Sequence, residues 1–169
     1  MKIKPNLLGI ALAGVFTLST AHATINKEFD LADATTASSV IVAGEVMSTK
    51  VDTSGNGTQT LVSVQVTDAL KGKASGIITI ALPGGSYSSN GFRVGETYAG
   101  VPQAFVNQKN MYFLSDSDTD GVYQVVGFNQ GILTIESNDN KEMVKGMLTH
   151  GEAVSMKEMK TRIDSEGEL

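Results

Sequence analysis

The chain has 169 residues, sets 18 acidic side chains against 13 basic ones for a net charge of −5, and contains no cysteine. That length is enough for one domain with a core of its own. The acidic balance argues against a nucleic-acid partner or an anionic membrane surface, since both need a basic footprint. The missing cysteine excludes disulfide staples, thiol catalysis, Cys-ligated zinc and iron–sulfur clusters.

Lys2 and Lys4 precede an apolar run over residues 7–18, and Ala21-His22-Ala23 then offers the small residues that a signal peptidase reads. This is the pattern of a secretory signal peptide over residues 1–23. The run is short for a bilayer span and no second one follows. The chain is therefore expected to be cut after Ala23, to start at Thr24, and to be exported to periplasm or medium without a membrane span. Residues 24–38 read as a lead-in, with Phe29, Leu31 and Ala34 spaced for one side of a short helix.

Residues 39–169 are expected to form a single β-rich domain. Residues 40–47 are short and β-branched and read as a first strand. Residues 52–58, with Ser54-Gly55-Asn56-Gly57, read as a turn. Val62, Val64 and Val66 alternate with Ser63, Gln65 and Thr67, so the valines should face a core and the polar set solvent. Residues 77–82 form a third strand, stopped by Pro83-Gly84-Gly85. Residues 86–110 are rich in Gly and Ser and read as a long irregular loop, a kind of segment that often carries function. Residues 111–114 read as strand four and residues 122–126 as strand five, with Gly127 bending or bulging it. Residues 131–135 are expected to complete a hairpin with strand five. Near the end, Ser155-Met156-Lys157-Glu158 has the form of a capping box, and Met156, Met159, Lys160 and Ile163 fall at helical spacing. A short helix over residues 155–164 follows.

Short strands, frequent turns and one small helix predict a mainly β fold, a five-stranded OB-like Greek-key barrel with a short C-terminal helix. The residues also carry a likeness. Val42-Ala43-Gly44-Glu45-Val46, Leu70-Lys71-Gly72, Pro83-Gly84-Gly85, Gly100-Val101-Pro102 with Phe105, Met111-Tyr112-Phe113-Leu114, and Gly127 with Gln130-Gly131 follow one another in a characteristic order. The series, over residues 38–135, resembles a family of exported, mostly uncharacterised bacterial domains, some of them beside matrixin-like metalloproteases. More distantly it looks like the netrin-like OB barrels of metalloprotease inhibitors. The resemblance implies a non-enzymatic domain whose partner is another exported protein, such as a metalloprotease that it inhibits or assists. The chain departs from the pattern in having Lys109-Asn110 before strand four, and Thr24 where the eukaryotic inhibitors begin with Cys.

Candidate sites are few. Asp116-Ser117-Asp118-Thr119-Asp120-Gly121 has the D-x-D-x-D-G form of a calcium loop, in which alternate carboxylates converge on one hard cation. Gly127 stands where an EF-hand needs a bidentate Glu, so a solvated turn is the competing reading. His150 is the one histidine after Ala23 and sits in a turn-like sequence. No G-x-S-x-G, H-E-x-x-H or P-loop motif occurs, and no catalytic residue is assigned. Tyr87, Phe92, Arg93 and Tyr98 in the long loop are the candidate binding residues, because aromatics and Arg dominate binding hot spots. The alternative is that they fold inward and plug the barrel. Met143, Met147, Met156 and Met159 crowd the last quarter and suit a gap-filling role between helix and sheet. The function read from the sequence is an exported protein-interaction domain. A metalloprotease inhibitor or accessory, and an enzyme of unrecognised type, are the alternatives.

Overall fold

Strand β1 (Val40–Gly55) organises the molecule, because both of its edges and both of its faces are used. The structure is a computed structural model, and it describes residues 28–55, 57–138 and 141–167. The expected signal peptide and its cleavage site lie outside the described residues. The remaining elements are helix α1 (Leu31–Ala37), strands β2 (Gly57–Lys71), β3 (Ile77–Pro83), β4 (Gly85–Ser89), β5 (Phe92–Glu96), β6 (Lys109–Asp116), β7 (Val122–Val125), β8 (Ile132–Asn138), β9 (Lys141–Lys145) and β10 (Val154–Ser155), and helix α2 (Met156–Gly167). The fold is mainly β, with ten strands among the described residues rather than the five or six expected.

The pairings run from β1 to β2 to β3, then to β7 and β6, and β6 pairs back onto β1. All are antiparallel except β3 with β7, where Thr79 meets Val122 in parallel. Strands β8, β9 and β10 continue the sheet beyond β6. The apolar runs in β1 and β6 do not alternate because neither face is wet. Val40 and Val42 enter one buried cluster, with Val62, Val64, Ile78, Ile80, Tyr112 and Leu114. Ile41, Met111 and Phe113 point the other way, into a second cluster with Leu133, Val144, Met159 and Ile163. Each such side chain contributes roughly 1.5–3 kcal/mol of burial.

The helices close that second cluster. Asp30 caps α1 by accepting from the Asp33 amide at 2.7 Å, and Lys71 Nζ donates to the Thr35 carbonyl at 2.6 Å. In α2 the Ser155 hydroxyl accepts from the Glu158 amide at 3.2 Å. This is one half of the expected capping box; the Glu158 carboxylate pairs with Arg162, one turn on, at 2.6 Å. Met159 and Ile163 are buried as their spacing implied, and Lys160 pairs with Asp68 of β2. Met147 is exposed, so the four C-terminal methionines do not act together as filler.

Three expectations about elements are corrected. The turn at residues 52–58 is mostly strand: β1 runs to Gly55 and β2 starts at Gly57, with Asp52 facing Gln59 across the ladder. The strand over residues 122–126 and that over residues 131–135 do not form a hairpin. Both lie on one edge of β6, β7 against Leu114–Asp116 and β8 against Asn110–Tyr112. Residues 127–130 loop out between these collinear pieces, while Phe113 holds both ends: its amide donates to the Gly131 carbonyl and its carbonyl accepts from the Val126 amide. The bend expected at Gly127 is there, with φ of 65°. The long irregular loop over residues 86–110 is the third case, and it leads to the candidate site.

Candidate functional site: the ribbon and the cleft beside it

Strands β4 and β5 make a separate two-stranded ribbon, with Ser89 opposite Phe92, Tyr87 opposite Val94 and Gly85 opposite Glu96. Its turn is Asn90-Gly91, both with positive φ, at 50° and 80°. Asn-Gly is the commonest chemistry for a two-residue hairpin turn, because both central residues must tolerate that conformation. That dipeptide was the available sequence signal; the Gly and Ser content around it concealed the strands.

The pairing divides the expected binding residues between two faces. Tyr87, Phe92 and Val94 share one face of the ribbon, and Arg93 belongs to the other, because successive strand residues alternate. Phe92 is 75% exposed and Val94 is 40% exposed. The aromatics of this segment therefore do not plug the interior. Val101 and Ala104 pack against the β2–β3 side of the core instead.

Arg93 and Tyr98 line a cleft. One lobe, of about 350 Å³, includes Thr49, Thr60, Ser86, Arg93, Glu96, Thr97 and Gln103. The neighbouring lobe, of about 410 Å³, includes Thr58, Gln59, Ala81, Gln124, Val125 and Phe128. Leu82, Pro83, Tyr98, Val101 and Pro102 border both, so the lobes are two halves of one groove. The larger lobe lies at the end of the β3–β7 pairing, at Ala81 and Gln124.

Glu96 is the hub of this groove, and sequence reasoning missed it. Its Oε2 accepts from the Thr58 amide at 3.0 Å, tying β5 to β2. Its Oε1 accepts a short hydrogen bond from the Tyr98 hydroxyl. That hydroxyl is the main cause that holds the Glu96 carboxyl below its ordinary value, and the Thr58 amide adds to it. The same bond raises the Tyr98 phenol above its ordinary value. Both shifts come from one interaction that favours a charged acceptor and a protonated donor. Gly84 permits the approach. Its φ is +84°, and a Cβ there would stand 2.5 Å from the Glu96 carbonyl oxygen. Pro83-Gly84-Gly85, which stops the third strand, thus also brings two backbones close together.

Phe128 was also missed. It occupies the loop-out between β7 and β8, is half exposed, and has a φ of 58°. A bulky residue in the left-handed region is an outlier. No pattern in the local sequence announces it.

The acidic turn is closed by a serine hydroxyl. The Ser117 hydroxyl accepts from the Thr119 amide and donates to the Thr119 carbonyl, each at 3.1 Å. Asp116, Asp118 and Asp120 are all exposed. Among the described residues, no group of three or more His, Asp or Glu side chains is placed to hold a metal. His150 is exposed and ends a 3-10 turn with a φ of 52°. Among the described residues, no helix is long and apolar enough to cross a membrane.

Neither a protein-family model nor any curated protein matches this chain.

Proposed function

We propose that this chain is an exported, non-enzymatic protein-interaction domain, and that the β4–β5 ribbon is its contact surface. One observation carries the reading: Tyr87, Phe92 and Val94 present an apolar face on a ribbon whose outer edges have no partner strand among the described residues. An exposed aromatic face beside unpaired strand edges suits a protein partner, which covers the ring and extends the ladder. The circuit of pairings β1–β2–β3–β7–β6, with β3 and β7 parallel, supports the finer fold reading of a five-stranded OB-like barrel. On that reading β8, β9, β10 and the two helices are additions outside the barrel. The likeness to exported bacterial and netrin-like domains supports the same assignment.

The test is crosslinking of the exported protein to its neighbours, for the native chain and for a double variant Phe92→Ser with Val94→Ser. A specific crosslinked species that the variant loses, while its melting temperature holds, supports the reading. A native chain that crosslinks to nothing, or a variant that crosslinks as well, removes the ribbon from consideration.

A further inference from the structure

We propose that the lobe of the groove flanked by Tyr98 and Phe128 binds a short neutral saccharide, with sugar rings stacked on these two aromatics and hydroxyls held by Gln59 and Gln124. Tyr87, Phe92 and Val94 do not line this lobe, so this proposal stands apart from the protein partner.

Phe128 is the first argument. Its ring is 51% exposed, so burial does not explain it. Its backbone is held in the left-handed region beside Gly127, which is also left-handed. The next residue, Asn129, is of a type that adopts such a conformation far more readily. An exposed aromatic kept at a strained position calls for a reason outside folding, and the ring borders the lobe.

Tyr98 is the second. Its hydroxyl is committed to Glu96, which is itself held by the Thr58 amide. The ring is thus fixed from its polar end, and what remains for a ligand is its flat face. A fixed aromatic face suits the C–H side of a pyranose. The same commitment disfavours a proline-rich peptide, whose recognition by Tyr also uses the hydroxyl as a donor to a peptide carbonyl.

The lining is the third. None of the described residues bordering this lobe is charged. Its polar side chains include two amides, which both donate and accept. Gln59 Nε2 already donates to Asp52 at 3.0 Å, which orients the amide and leaves its oxygen to accept. Paired donors and acceptors without charge match the vicinal hydroxyls of a neutral sugar, not a phosphate or a carboxylate. The volume, about 410 Å³, falls in the range of small-molecule sites, roughly 300–1,000 Å³.

The experiment is an amide NMR titration of the purified protein with maltotriose, cellotriose and chitotriose, with a proline-rich decapeptide as the competing probe. At least one saccharide should give saturable shifts at Gln59, Gln124 and Phe128. Phe128→Asn should weaken that binding by about tenfold or more, the loss expected for one stacked ring. Its melting temperature should stay the same or rise, since Asn tolerates the backbone better. Tyr98→Ala should weaken binding likewise. Three results overturn the proposal: no saturable shift with any of the three sugars, a folded Phe128→Asn protein that binds as tightly, or the decapeptide shifting these amides while the sugars do not.

Discussion

Val64 shows how far a single residue specifies this structure. It is fully buried, faces Val46 across the β1–β2 ladder, and packs so close to Gly44 that a Cβ there would collide with its Cγ1. Val64→Asp would bury a carboxylate with no partner. It should cost on the order of 4 kcal/mol or more and abolish the cooperative melt, checked by circular dichroism. Glu96 acts through protons. Its folded carboxyl titrates below the ordinary value of 4.5, so its tether to Thr58 and Tyr98 is complete above that pH. The contribution is lost as pH falls through the depressed folded value. The gap in melting temperature between native protein and Glu96→Ala should therefore be constant near neutrality and close on acidification. A gap that widens in acid would mean that Glu96 stabilises the ribbon in some way other than as an anion. Asp116, Asp118 and Asp120 make a sharper contrast. Their turn is closed by hydrogen bonds between Ser117 and Thr119, and millimolar calcium should leave the melting temperature unchanged. A clear rise, abolished by Asp118→Asn with Asp120→Asn, would establish a calcium site there.

At the level of elements, the ribbon is the test case. Phe92 and Arg93 are exposed, on opposite faces. Replacing both by Ala should change stability by no more than about 0.5 kcal/mol. A loss near 3–5 kcal/mol, the scale of an aromatic core truncation, would mean that these side chains are structural after all. Scanning calorimetry separates the two outcomes. The ribbon also marks where the sequence stopped being legible. Strands β2 and β3 could be read because their valines and isoleucines alternate against polar partners, and α2 because Met159 and Ile163 keep a helical period beside a capping serine. The ribbon has no such period: Ser and Gly fill β4, and its stability comes from the Asn90-Gly91 turn and from Glu96 reaching β2. Strand β10 is two residues long, too short for any pattern to register. Of the binding residues, Arg93 and Tyr98 do meet in one groove, and Tyr87 and Phe92 do not line it. Glu96 and Phe128 stayed hidden because their roles depend on a contact made through space and on a backbone angle, and neither leaves a mark on local composition.

For the whole molecule, what was hard to read was the order of strands. Residues 122–126 and 131–135 look like adjacent arms of a hairpin, since a turn separates two β-branched runs. In fact the two runs are end to end along β6, as their separate pairings with that strand and the bonds to Phe113 reveal. Strands β1 and β6 were legible from their apolar runs, although the burial of both their faces, in two separate clusters, was not.

The circuit of pairings has a consequence for time. Hairpin β1–β2 can form from neighbouring chain alone, but Val40 must find Leu114, and Thr79 must find Val122, before the circuit is complete. Contacts between such distant positions cost loop entropy before they return any stability, and proteins dominated by them fold in roughly milliseconds to seconds. A chain whose first strand waits for its sixth stays open while it is being made. If it is exported through a channel that admits only unfolded polypeptide, that delay keeps it threadable, and closure of β6 onto β1 then becomes the step that makes passage irreversible.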